Sequence, residues 1–159
     1  MNITKNANKI MIAILIIAII IAIILQCFIY KIYPSYLTDD YKEQTIAFFV
    51  IIVLTIALFF CIVFIRKDLS KDNFLYHPFF WLIFHTLTYM LIGIMAPLYW
   101  PWAICYGTLI EIIECTLGGQ HGTFKFLKCN GLSDVFVNTV TLAIGASIGV
   151  LYRKDKYNK

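Results

Sequence analysis

From Pro78 to Leu117 the chain reads PFFWLIFHTLTYMLIGIMAPLYWPWAICYGTLIEIIECTL, and the way this stretch divides decides the fold. No charged residue occurs between Asn73 and Ile110. One helix of that length would overshoot a bilayer core of about 30 Å, because an α-helix rises about 1.5 Å per residue. Pro97 and Pro101 flank Leu98-Tyr99-Trp100. Each proline lacks an amide donor and crowds the preceding turn, so two this close together break a helix. The stretch therefore predicts a helical hairpin, one helix over about 78–96 and the other over about 101–117. Tyr99, Trp100 and Trp102 in the turn suit one membrane interface, and His77, Phe79, Phe80 and Trp81 would mark the other.

Outward from the hairpin, three more apolar blocks are long enough to span. The first is Ile10–Tyr30, with Gln26 its one strongly polar side chain. It is longer than a usual signal-peptide core and lacks a good small-residue cleavage site, so it reads as a retained helix. The second, Gln44–Ile65, is uncharged and lies between Glu43 and Arg66. With almost no polar content it is expected to pack or to face lipid. The last starts near Ser133 or Asp134, ends at Tyr152 and is stopped by Arg153-Lys154-Asp155-Lys156. The intervening Gly118-Gly119-Gln120-His121-Gly122 and Asn130-Gly131 read as irregular backbone, with Thr123–Leu127 a short interfacial piece.

Composition agrees. Of 159 residues, 61% are hydrophobic and 14% charged, against about a quarter charged in ordinary soluble domains. The mean hydropathy is +0.82. This excludes a soluble domain, a disordered chain, a disulfide-rich miniprotein and a nucleic-acid binder. The expected fold is an all-α polytopic membrane bundle of about five transmembrane helices, multi-pass and in the cell membrane. Residues 1–77 supply two helices with polar loops and residues 78–159 supply three, in one compact bundle.

The net charge of +4 comes from 13 basic residues in the termini and loops, where they act as membrane-flanking anchors. Five spans put Lys5, Lys9, Arg66, Lys67, Lys71, Lys125 and Lys128 on one side. Lys31, Lys42, Arg153, Lys154, Lys156 and Lys159 fall on the other. The Arg66–Lys71 loop tips the orientation toward an N-terminus inside. Cys27, Cys61, Cys105, Cys115 and Cys129 contain no CxxC pair and read as small apolar fillers without a disulfide framework. His121 with Cys115 and Cys129 lacks zinc-finger spacing. No metal is assigned and no cofactor is indicated.

The intramembrane polar groups concentrate in the last three helices. An ionisable group at the centre of a span costs at least about 2.5–3.5 kcal/mol, so something must compensate it. His85, Tyr89 and Gly93 recur at a spacing of four and share a helix face. Glu111 and Glu114, three apart, also share a face. Two carboxylates close together in low dielectric do not both ionise easily, which suits proton chemistry or cation binding. The Glu-x-x-His pattern of di-metal carboxylate proteins is missing. Asp134 reads as an N-cap of the last helix. Asn138, Thr141, Gly145 and Gly149 continue one face, and Gly145-x-x-x-Gly149 allows close packing. Each polar group also has a purely structural reading: His85 and Asn138 as interhelical hydrogen-bond glue, Glu114 hydrated near a helix end, and His121 and the loop lysines solvated.

In order, these pieces resemble the VanZ-like family of small membrane proteins over roughly Trp81–Gly149. His85-x-x-x-Tyr89-x-x-x-Gly93 is similar to the family's HxxxYxxxG helix. Leu109-Ile110-Glu111-Ile112-Ile113-Glu114 is similar to its acidic helix. Asp134-x-x-x-Asn138-Thr139 is similar to its D-x-x-x-N segment. Glu114 stands where the family usually has Gln, Thr141 where it has Gly, and its loop Arg has no clear match. The resemblance implies a multi-pass membrane protein.

The resulting expectation is a polar pocket lined by His85, Glu111, Asp134 and Asn138, with Glu114 and Tyr89 at its edge. It would recognise or process a lipid or envelope-precursor headgroup. In an enzymatic version Glu111 or Asp134 is the general base, and His85 orients or donates a proton. The expected partners are the lipid bilayer and that headgroup, with no nucleic acid. Two rivals are a non-catalytic scaffold or accessory subunit, and a small proton-coupled transporter in which a homodimer supplies the path.

Overall fold

The computed structural model describes residues 2–32, 38–66, 74–76, 78–117 and 131–157. Apart from Ala96 and Gly131 the described residues are helical, without a strand. The helices are α1 (Asn2–Ile32), α2 (Thr38–Arg66), α3 (Pro78–Met95), α4 (Trp100–Leu117) and α5 (Leu132–Tyr157). Short 3-10 turns cover Phe74–Tyr76 and Pro97–Tyr99. The loop predicted over 118–130, with His121, Lys125 and Lys128, lies outside the described residues.

The spans of α1 (Lys9–Phe28), α2 (Asp40–Ile62) and α5 (Leu132–Arg153) are each long and apolar enough to cross a membrane. Helices α3 and α4 qualify as a pair, bent by 117° at the break between them. The expectation of five separate spans is therefore narrowed to three spans and one bent pair. At 18 residues each, α3 and α4 are about 27 Å long, slightly under the hydrocarbon thickness.

The bent pair is a hairpin rather than one broken span, because its ends return to the same end of α2. Its turn meets the start of α2, where the Leu98 amide donates to Gln44 Oε1 at 2.9 Å. Trp81 near the start of α3 lies against Phe59 near the far end of α2. Glu114 near the end of α4 lines a small cavity with the same Phe59. The prolines make the turn as expected. The Ala96 amide closes the last turn of α3 on the Ile92 carbonyl at 2.8 Å, and the Tyr99 amide bonds the Ala96 carbonyl at 2.9 Å. Pro101 sits in the first turn of α4, where its missing donor costs nothing.

Tyr99 departs from its expected place at the interface. It is buried in the core, its ring stacked on Phe48 at 4.9 Å between centroids, and its hydroxyl is 2.6 Å from Thr45 Oγ1. Thr45 itself donates to the Tyr41 carbonyl, so Tyr99 is the donor. The core continues through Ile51, Tyr89, Ile92, Ala96, Ala103 and Leu142. Trp100, next to Tyr99, is exposed.

The most extensive interhelical packing is α3 on α5, followed by α1 on α4. Glycines permit the first. A Cβ on Gly93 would come within 2.6 Å of the Leu142 carbonyl oxygen and the Ala146 amide nitrogen. One on Gly149 would come within 2.8 Å of the Gly93 carbonyl oxygen, and one on Gly145 would strike the Met90 carbonyl. The small-residue face predicted on α5 is thus a backbone-to-backbone contact, and Gly93 supplies its other half.

Helix α2 is not as polar-poor as its sequence suggested. Asp40 and Gln44 are buried, and Gln44 Nε2 donates to Asp40 Oδ2 at 2.7 Å. Arg153, read from sequence as part of a stop signal, bonds Asp40 and donates through its other terminal nitrogen to the Met95 carbonyl at 2.7 Å. Cys115 also departs from expectation: it is disulfide-bonded, while Cys27, Cys61 and Cys105 are free. It stands near the end of α4, where the chain leaves the apolar layer, and its partner lies outside the described residues.

Candidate functional site

The site forms at the end of the bundle opposite the Asp40–Arg153 pair, where the first turns of α3 and α5 meet the last turns of α4. Helix α3 carries His85 two turns inside its start. Helix α4 carries Glu111 and Glu114, and α5 carries Asp134 in its first turn and Asn138 one turn further. Helix α5 begins at Leu132, after Gly131 with its positive φ of 54°. Asp134 is therefore inside the helix rather than at its cap. It still lies where a carboxylate is favoured by the free amides of the first turn.

The three helices bring the predicted residues together. His85 Nδ1 is 3.2 Å from Asn138 Oδ1 and 3.8 Å from Glu111 Oε1. One donor or acceptor atom from each of His85, Glu111 and Asp134 lies within 4.8 Å of the other two. Glu111 is fully buried, and His85 has 12% of its side chain exposed. Neither Glu111 carboxyl oxygen has a partner at hydrogen-bonding geometry, and neither does Asn138 Nδ2. Thr108 Oγ1, one turn before Glu111 on α4, is a further buried orphan. Buried polar atoms are nearly always paired, so four such atoms in one region mark it as incomplete by itself.

Glu114 and Tyr89 lie on the other side of His85. They line a cavity of about 40 Å³ with His85, Thr55, Phe59 and Tyr106. Tyr89 is buried against Gly107, which has no side chain to displace it. Both were expected at the pocket's edge; Tyr89 also faces Asn138 across a narrow gap lined by Gly107 and Thr108.

The larger cleft is on the Asp134 side. It has a volume of about 310 Å³ and is lined by Phe79, Trp81, Leu82, His85, Asp134, Val137 and Asn138. Its walls are mainly apolar, with an imidazole, a carboxylate and an amide converging at its base, and its size is at the lower end for small-molecule sites. Phe79, Trp81 and Leu82 were read from sequence only as interface markers or span residues. An aromatic cluster beside a polar mid-helix histidine was the signal available for them. Thr141, expected to continue this face, is satisfied within its own helix by bonds to the Val137 and Asn138 carbonyls.

Chemically, the cluster is rich in acceptors and has one free amide donor, so it suits a guest that offers hydroxyl, amine or cationic groups. No protein family, curated protein or solved structure matches the chain.

Proposed function

We propose that this chain is a multi-pass protein of the cell membrane whose α3–α4–α5 cleft receives the polar headgroup of a lipid or a lipid-linked envelope precursor. The observation that carries this reading is the cleft beside His85, Asp134 and Asn138, with the fully buried Glu111, whose oxygens lack a hydrogen bond of good geometry, 3.8 Å from His85. A headgroup bearing hydroxyl or amine groups can donate to Glu111 and accept from Asn138 Nδ2, which completes the pairing those atoms lack. Phe79, Trp81 and Leu82 form an apolar wall suited to the first methylenes of an acyl chain. In an enzymatic form, Glu111 or Asp134 takes a proton from a headgroup hydroxyl while His85, held by Asn138, orients or donates. Membership of the VanZ-like family is part of this proposal and rests on the motif residues alone.

A scaffold role is the second reading, favoured by the His85–Asn138 bond that ties α3 to α5. The deciding experiment compares the membrane lipids and lipid-linked precursors of cells expressing wild type or Glu111→Gln at matched levels. A species that changes with wild type alone supports the headgroup reading and identifies its class. Identical profiles, with both proteins folded in the membrane, would transfer the assignment to the scaffold.

A further inference from the structure

We infer that His85, Glu111 and Asp134 form a binding site for one divalent transition-metal ion, of the Zn²⁺ or Mn²⁺ class. This inference shares the cleft with the reading above but does not need the headgroup. Three protein ligands from three helices converge, with their ligating atoms within 4.8 Å of one another. Ligands held about 2.1 Å from a tetrahedral ion sit about 3.4 Å apart, so a side-chain adjustment of about 1 Å closes the set. His85 Nδ1 and Glu111 Oε1, at 3.8 Å, are already near that spacing.

Glu111 gives the second, independent indication. It has no exposed surface, and neither of its oxygens has a hydrogen bond of good geometry, the Gly131 backbone being the group that approaches it. Among the described residues its one ion-pairing neighbour is His85. A buried carboxylate with no hydrogen bond is costly, and a cation between it and Asp134 removes that cost. One imidazole nitrogen with two carboxylates is a mixed donor set. It favours Zn²⁺ or Mn²⁺ over Mg²⁺ and Ca²⁺, which prefer oxygen alone. Ion binding through His85 Nδ1 would replace the proton that this nitrogen shares with Asn138 Oδ1 at 3.2 Å, so the metal and the α3–α5 bond compete for one atom. With three protein ligands the ion keeps an open coordination position, and the cleft along Asp134 and His85 leads to it.

The test uses the full chain in detergent or nanodiscs, stripped with chelator and then equilibrated with Zn²⁺, Mn²⁺ or Mg²⁺ alone. Metal content is measured by mass spectrometry after desalting. Wild type should retain about one Zn²⁺ or Mn²⁺ per chain and little Mg²⁺, and Glu111→Gln and His85→Gln should bind at least about tenfold more weakly. Asp134→Asn, at a partly buried position in a first helical turn, keeps the comparison valid should the buried variants misfold. With Co²⁺ as the probe, wild type should show visible d–d bands that Asp134→Asn shifts or removes. Wild type that retains no ion, or retention unchanged in folded Asp134→Asn and Glu111→Gln, would overturn the site. A metal-free protein that still changes the lipid profile would overturn the metal inference and leave the headgroup reading standing.

Discussion

Arg153, in the last helix, bonds Asp40 at the start of α2 and at the same time satisfies the Met95 carbonyl at the end of α3. One guanidinium thus joins three helices at the end of the bundle away from the cleft. Asp40 is held in turn by Gln44, whose own carbonyl oxygen accepts from the hairpin turn at Leu98. This network closes an end where helix carbonyls would otherwise be left without donors.

Removing Arg153 leaves Asp40 without its counter-charge and the Met95 carbonyl without its donor. Arg153→Met should destabilise the detergent-solubilised protein by about 1–3 kcal/mol, the usual range for an uncompensated polar group of partial burial. The double variant with Asp40→Asn should lose less than the sum of the two single changes. Thermal unfolding of all four proteins measures this, and strict additivity would rule out the coupling.

The α3–α5 contact should be intolerant of any side chain at Gly93 or Gly145, because the neighbours there are backbone atoms. Gly93→Val should abolish a monodisperse folded species in size-exclusion chromatography. Gly107→Ala should be milder, since the atoms it meets belong to the Tyr89 side chain. Equal tolerance of Gly93→Val and Gly107→Ala would contradict the backbone contact.

Glu111 should trade stability for function. Replacing its orphaned carboxyl with an apolar group of similar size, Glu111→Leu, should raise stability by about 1–3 kcal/mol when no guest is bound. The same change should abolish any lipid-profile effect. A large loss of stability in Glu111→Leu would mean that the carboxylate is structural.

Tyr99→Phe keeps the stack on Phe48 and removes only the bond to Thr45. The expected cost is about 0.5–1.5 kcal/mol, read as a lower unfolding temperature without a change in oligomeric state. No change would show that the hydroxyl bond is offset by water.

Disulfides persist in oxidising compartments, so the disulfide at Cys115 favours placing the α4 end of the bundle on the outer face. Met11 of α1 is beside Gly131 at that same end, so the N-terminus should be outside, opposite to the orientation suggested by the Arg66–Lys71 loop. A reporter enzyme that is active only in the oxidising compartment should work when fused to the N-terminus. Activity of a cytoplasm-only reporter at that position would restore the charge-based orientation.

The sequence by itself determined the helical membrane character, the break at Pro97 and Pro101, and the set of polar residues worth attention. These are local properties. Hydropathy over a window reports what a segment can bury in lipid, and a proline's missing donor acts within its own turn. Apolarity alone did not decide how α3 and α4 run relative to each other; the bend of 117° between them did. The sequence also left Asp40 and Arg153 as flanking residues outside the spans, although they are 113 positions apart and meet in one bond. Charge near a helix end looks the same in a sequence whether it faces water or a partner. Tertiary structure alone decided that Tyr99 belongs to the core and that Gly93 meets Gly145 and Gly149. It also decided that His85 lines both cavities, with Asn138 and Glu111 in reach of the same ring nitrogen. Those outcomes depend on which helix faces which. In a membrane that choice is made by close backbone packing and by the pairing of polar groups, not by hydrophobicity, which is nearly uniform along every span.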